Sequence, residues 1–240
     1  MTTVSIIGRG RVGKVLSLVH QQCGDSIVEN GEWVIFAVPD DQLANVVEEY
    51  SKSAAMASAK FCAHVSGLYD HTILQPLANA GAEIAALHPI MQFGSATSDI
   101  ENLAKSFVSY SGQDSALQLA TAVVQCWQGK LIELKPGSDR RQYHLALSLV
   151  SNHVTGLLAW ANELLLPILG DESAIIIKQM AARAVEVADG EDPMNSLTGP
   201  VARGDLKTIA QHLQSLDVEQ ARRYAGLLLN LQTLVAERSE

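Results

Sequence analysis

Val4-Ser5-Ile6-Ile7-Gly8-Arg9-Gly10-Arg11-Val12-Gly13-Lys14-Val15-Leu16 runs a short β-branched strand pattern into G-x-G-x-x-G and then into apolar residues at helical spacing. That succession has a physical reading. Gly8 allows a tight turn, Gly10 lets a pyrophosphate approach the backbone, and Gly13 lets the helix pack closely on the strand. Free N–H groups at the start of the helix face the anion. The alternative reading of the same residues is a strand-to-helix turn that holds nothing. Arg9 and Arg11 flank the phosphate path and suit a 2′-phosphate, which points to NADP with NAD as the alternative, or they are solvated loop arginines.

Outward from this turn, short apolar runs alternate with helical stretches as far as Gly137. That rhythm predicts an α/β fold, a mostly parallel sheet covered by helices. Six strands are expected, at Val4–Ile7, Trp33–Val38, Phe61–Val65, Glu83–Leu87, Phe107–Tyr110 and Leu131–Leu134. Val4 and Val38 are separated by little more than one βαβ unit of about 30 residues, so the Rossmann-like sheet is read as truncated. Its second strand and the helix after it are expected to be missing or vestigial within Cys23–Glu32, with the first strand pairing directly with Trp33–Val38 near a sheet edge. By count, Glu29 is the residue that would meet the adenosine ribose.

After Pro136 and Gly137 the pattern is all-helical. The expected domains are therefore 1–137, a Rossmann-like dinucleotide-binding domain, and 138–240, an all-α domain for substrate and dimerisation. Helices such as Ala225–Val235 carry more apolar surface than one core face needs, which predicts a homodimer built through this half.

Composition narrows the function classes. The 240 residues are 48% hydrophobic and 18% charged, and 17 basic against 26 acidic residues give a net charge of -9. Disorder is excluded, and nucleic acid is not an expected partner. Polar residues interrupt the longest apolar stretch, so no membrane span is read, and the absence of a basic n-region at the N-terminus predicts a cytoplasmic chain. Cys23, Cys62 and Cys126 are odd in number and lack ligand spacing, so reduced thiols, no disulfide and no zinc are expected. G-x-S-x-G, H-x-x-x-H and a P-loop lysine are all absent from the sequence.

Several further segments accompany the turn: A-V-P-D at Ala37–Asp40, H-V-S-G at His64–Gly67, L-H-P-I at Leu87–Ile90, Y-H at Tyr143–His144, S-N at Ser151–Asn152, and L-T-G-P-V-A-R-G-D at Leu197–Asp205. With these motifs the chain resembles the superfamily of pyrroline-5-carboxylate reductase, prephenate dehydrogenase and 6-phosphogluconate dehydrogenase. Within it, the chain resembles the Rossmann-like oxidoreductase-related proteins with a C-terminal helical domain of unknown function. The resemblance covers nearly the whole chain. It implies an NADP-dependent oxidoreductase whose substrate is undefined.

Candidate site residues follow from strand ends, where ligands bind in open α/β sheets. The cofactor set is Gly8, Arg9, Gly10, Arg11, Val12, Gly13, Val38, Pro39 and Ser66. The expected catalytic set is His144, Asn152, Ser151 and His88. His144, Ser148, Ser151, Thr155 and Asn162 recur at spacings of four, three, four and seven, a polar stripe on an apolar helix. Such a stripe lines a cleft or forms an interhelical seam, because unpaired buried polar groups are costly. His144 is the first candidate proton donor to a small carbonyl or imine substrate and His88 the competing one. The alternative function is a non-catalytic dimeric ligand-binding protein whose dinucleotide site has decayed. Asp205 is expected to cap a helix, with Arg203 pairing locally or meeting a carboxylate.

Overall fold

The alternating pattern of the N-terminal half folds into one sheet. The computed structural model of the chain describes residues 2–94, 96–188 and 193–237. The strands are β1 Thr3–Ile7, β2 Ser26–Ile27, β3 Trp33–Phe36, β4 Phe61–His64, β5 Glu83–Pro89, β6 Phe107–Gly112 and β7 Lys130–Glu133. Between them run α1 Arg11–Gln22, α2 Asp40–Ser51, α3 Gln75–Asn79, α4 Ala96–Leu103 and α5 Leu117–Cys126. The sheet order is β2-β1-β3-β4-β5-β6-β7.

β1 pairs in parallel with β3 from Val4↔Trp33 to Ile7↔Phe36, with no strand between them. A vestigial second strand is present: the two-residue β2 pairs Ser26 with Thr3 and Ile27 with Val4 at the edge. No helix separates β2 from β3 among the described residues. Ser5 holds the intervening segment in place, its hydroxyl lying 2.9 Å from the carbonyls of Val28 and Glu29 and accepting the Gly31 N–H at 2.7 Å. The first strand thus lies one position from the edge. All pairings are parallel except β5 with β6.

Both faces of the sheet are covered. Val15, Leu16 and Val19 of α1 pack with Leu103 of α4 and Val123 and Val124 of α5 over one face. Leu43 and Val47 of α2 and Leu77 of α3 pack over the other. This is the three-layer arrangement that near-continuous apolar strands such as Val34–Phe36 require.

The chain divides into two compact units, residues 1–154 and 155–240. The first continues past the sheet into α6 Arg140–Ser148, which Asp139 caps by accepting the Arg141 N–H. A π-helical turn follows at Leu149–His153, and then α7 Val154–Leu169 begins. The expected stripe is therefore not one continuous face. A π turn inserts a residue, so spacings counted for an uninterrupted α-helix do not carry through Leu149–His153. The second unit contains most of α7, with α8 Glu172–Val187, α9 Leu206–Gln214 and α10 Val218–Ala236. Asp205 caps α9 as expected, accepting from the Thr208 N–H at 3.0 Å. Among the described residues no helix is long and apolar enough to cross a membrane.

The expectation of three reduced thiols is corrected. Cys23, capping the end of α1, and Cys126, the last residue of α5, form a disulfide with Cα atoms 5.8 Å apart and 103 residues between them in sequence. They meet where the C-terminal ends of α1 and α5 come together over one face of the sheet, so sequence spacing carried no sign of it.

Candidate active site

The chain leaves β1, passes outward to β2, and returns across β1 to β3. Ligands in open α/β sheets bind at such a reversal, beyond the carboxyl ends of the strands. The turn Gly8–Gly13 lies there beside Ala37 and Val38 at the end of β3.

The three glycines have different reasons. Gly8 has φ +126°, and a Cβ on it would collide with the Ala37 carbonyl oxygen. A Cβ on Gly13 would collide with the Gly8 carbonyl oxygen. Both are glycine because the fold demands it. Gly10 is different: φ is -71°, and a Cβ there meets nothing within 4 Å. The position is open and exposed.

Gly10 is also the N-cap of α1, with no side chain to cap it and no acidic residue in the first turn. The first helical bond runs from the Lys14 N–H to the Gly10 carbonyl, so the N–H groups of Arg11, Val12 and Gly13 precede it. Arg9 is exposed, while Arg11 sends Nη1 to the Phe93 carbonyl at 3.2 Å. Val38 is half-buried, and the exposed Pro39 precedes α2 as its N-cap.

A second constellation sits at the ends of β4 and β5. His88 Nδ1 lies 2.8 Å from the Tyr143 hydroxyl, which donates to Ser109 Oγ at 3.0 Å. With the phenol proton directed to Ser109, His88 donates Nδ1–H to the phenol oxygen and keeps its lone pair on Nε2. That nitrogen and the His144 ring both flank Gly67, since a Cβ on Gly67 would sit 3.0 Å from His88 Nε2 and 2.8 Å from His144 Cδ2. Glycine at 67 leaves room for both rings.

Ser66 occupies the turn before Gly67. Its hydroxyl oxygen accepts the Leu68 and Tyr69 N–H groups at 3.1 and 3.2 Å, and its N–H donates to His64 Nδ1 at 3.1 Å. In the π turn, Ser151 Oγ donates to the Leu147 carbonyl at 2.7 Å, and Asn152 is exposed. The structure thus brings His88 and His144 together, gives Ser66 a turn-forming role, and sets Ser151 and Asn152 just past the end of α6. Asn162, further along the expected stripe, bonds within the second unit, accepting from Ser173 Oγ at 2.9 Å.

Arg140 is the residue of this region that the sequence reading did not single out. Arg141 is exposed and pairs locally with Asp139. Arg140 is buried: Nη2 donates to the Ser66 carbonyl at 2.8 Å, and the guanidinium carbon lies 5.0 Å from the Tyr143 ring centroid. Its Nε and Nη1 are buried without a protein acceptor among the described residues. Arg140, Tyr143 and His144 are spaced three and four apart, so one face of α6 presents all three. That spacing was the available signal.

Electrostatics sort the histidines. Burial, then the positive charge of Arg140, and then the neighbouring His144 and His64, depress the His88 pKa to about 4. Burial does the same to His64, also to about 4, against the opposing bond to the Asp70 carbonyl. Both rings are neutral near pH 7, so His88 can accept a proton or share a hydrogen bond there but is not an imidazolium donor.

This has a consequence for stability. Unfolded histidines take up protons near pH 6.5 and the folded ones do not until about pH 4, so the unfolded chain binds more protons in that window. Stability is full above about pH 6.5 and is lost as pH falls towards 4. For the fully buried His64 alone the loss is about 3 kcal/mol. Urea unfolding at pH 7.0, 5.5 and 4.0 checks it, and a flat profile would contradict the assignment.

Residues 106–230, just over half of the chain, match the family model DUF2520, a domain of unknown function. The chain belongs to the DUF2520 family. Residues 24–89 of this member also match a Rossmann-like domain. The family match agrees with the resemblance read from the motifs. No curated protein matches the chain.

Among solved structures, this DUF2520 chain is similar to protein TM1727 of Thermotoga maritima, at 17% identity and a TM-score of 0.70 over 99% of this chain and 100% of that one. It is similar to a candidate NADP oxidoreductase of Bacteroides fragilis, at 16% identity and a TM-score of 0.76 over 97% and 98% of the two chains. It is also similar to pyrroline carboxylate reductase of Plasmodium falciparum, solved with NADP bound, at 12% identity and a TM-score of 0.60 over 99% and 97%. These likenesses extend the shared fold along the full chain.

Proposed function

We propose that this chain is an NADP-dependent oxidoreductase that reduces a small carbonyl or imine compound. The observation that carries the reading is Gly10. Neither its backbone angle nor its packing calls for glycine, yet a side chain there would fill the space in front of the α1 N-terminus. A pyrophosphate uses that space and those N–H groups. The charge of the exposed Arg9 and of Arg11 supports a 2′-phosphate beside the turn, and Val12, Val38 and Pro39 are assigned to border the path. The fold shared with a reductase solved with NADP supports the same cofactor.

Reduced nicotinamide, when bound, supplies hydride. The chain's own residues then have to orient the substrate and deliver a proton. We assign the proton to His144, which shares the space around Gly67 with His88. His88, neutral and anchored through Tyr143 to Ser109, offers its Nε2 lone pair to a substrate donor. Ser151 and Asn152 orient the substrate beyond the end of α6, and Ser66 holds the turn that carries Gly67.

One observation favours the non-catalytic alternative. β2 is only two residues long and, among the described residues, no helix lies between it and β3, so the adenosine side rests on the short segment that carries the exposed Glu29. The deciding experiment is NADPH consumption by the purified protein with a panel of small aldehydes, ketones and cyclic imines. Turnover of one class by the wild-type protein is expected. NADPH binding without turnover of any class would favour the non-catalytic reading.

The helical unit supports a homodimer. Val185, Ile168 and Val218 are 76%, 74% and 74% exposed, as part of a wider apolar surface on α7, α8 and α10. Surface of that kind is covered by a partner in stable proteins. Light scattering at micromolar concentration should give twice the chain mass, and a monomer would remove the assignment.

A further inference from the structure

Cys23 and Cys126 lie outside the candidate active site, in a cluster that its chemistry does not use. We infer that they are a redox-active pair, which closes by exchange with small disulfides of the glutathione class and clamps α1 to α5. The pair is accessible from one side. Cys23 is exposed and Cys126 half-buried, and both border a small pocket with Val19, Ile100, Ala104 and Trp127.

The surroundings set the direction of the equilibrium. Both sulfurs stand at helix C-termini, the negative ends of the helix dipoles. The Asp25 carboxylate lies 4.0 Å from Cys126 Sγ. His20 Nδ1 is 3.5 Å from that sulfur and 2.9 Å from Asp25, but burial lowers the His20 pKa and the ring stays neutral. The reduced pair therefore gains none of the thiolate stabilisation that makes thiols at helix N-termini easy to keep reduced. The equilibrium lies towards the disulfide.

The same cluster is not a metal centre. His20, Asp25 and Cys126 converge closely enough to share an ion. For His20 to ligate through Nδ1, its remaining proton must sit on Nε2. Trp127 Nε1–H already points at Nε2 from 3.1 Å, and indole is a donor only. The proton is thus on Nδ1, directed to Asp25.

Closure balances without any group beyond the small disulfide. The Cys23 thiolate attacks one sulfur of RSSR, forming a mixed disulfide and releasing RS⁻. Cys126 then gives up its proton and attacks the Cys23 sulfur, releasing the second RS⁻. The protein loses two electrons and two protons, and RSSR is reduced to two thiols.

The full-length protein, pre-reduced and equilibrated with reduced and oxidised glutathione, is quenched with an alkylating agent, denatured, alkylated again with a heavier reagent and weighed. Cys62, buried and with its thiol pushed up to about 12, is the internal reference. The expected result is loss of two tags together on a monomer mass, with the pair closed even at about a hundredfold excess of reduced glutathione and opened by dithiothreitol. Opening a cross-link of this span should lower Tm by roughly 10 °C in the wild type. Cys23→Ser and Cys126→Ser, each lacking the bridge, should show no response to dithiothreitol. Thiols that stay reduced in oxidised glutathione, or an unchanged Tm on reduction, would overturn the inference. So would one zinc per chain bound by the reduced protein with both thiols protected from glutathione disulfide.

Discussion

His144→Ala is expected to lower NADPH-dependent turnover by about a hundredfold or more while leaving NADPH affinity nearly unchanged, the usual scale for loss of a positioned proton donor. The ring stands beside Gly67 on the α6 face that also carries Tyr143 and the buried Arg140, and it is not among the residues proposed to hold the dinucleotide. Binding and proton delivery should therefore separate in the kinetics. His88→Asn makes a useful contrast, because His88 is neutral near pH 7 and its pKa is depressed to about 4. That variant should lose activity by loosening substrate orientation, read as a raised KM with a smaller fall in kcat. If His144→Ala retained full turnover and His88→Asn lost it through kcat, the two roles would have to be exchanged.

The second large effect is on folding. Gly13→Ala should cost about 3 kcal/mol, at the upper end of overpacking, because its Cβ meets the Gly8 carbonyl oxygen, a backbone atom that cannot swing aside. Gly10→Val should leave Tm close to that of the parent, since its Cβ enters open space at an ordinary φ. Differential scanning calorimetry of the two variants checks the contrast. Equal losses would mean that the turn is one rigid structural unit and that Gly10 has no separate purpose.

The sequence was most informative where local chemistry fixes geometry. Strand, glycines and helix stand in unbroken order from Thr3 to Gln22, and β-branched runs placed β1, β3, β4, β5, β6 and β7 to within two residues. The shortened edge was legible from the closeness of Val4 and Val38 alone. What could not be read depends on contacts distant in the chain. Cys23 meets Cys126 only because two helices share a face of the sheet. Nothing in Phe107–Gly112 marks it as the strand that pairs antiparallel with β5.

The π turn at Leu149–His153 was hidden for a different reason. Five residues are too few to shift an apolar periodicity measured over several turns, so the polar residues from His144 to Asn162 looked continuous when they are not. Arg140 was missed because an arginine beside another arginine reads as surface. Its burial follows from the Asp139 cap, which fixes where α6 starts and turns Arg140 towards Ser66 and Tyr143.

If the turn Gly8–Gly13 holds a dinucleotide, titration of NADPH into the wild-type protein and Gly10→Val, followed by nicotinamide fluorescence, should separate the two proteins. Saturable binding to the wild type is expected, with a Kd on the order of micromolar, tighter than for NADH, and that binding is lost in a Gly10→Val protein that is still folded. Binding of NADPH to Gly10→Val as tight as to the wild type, or no saturable binding to the wild type, would contradict it.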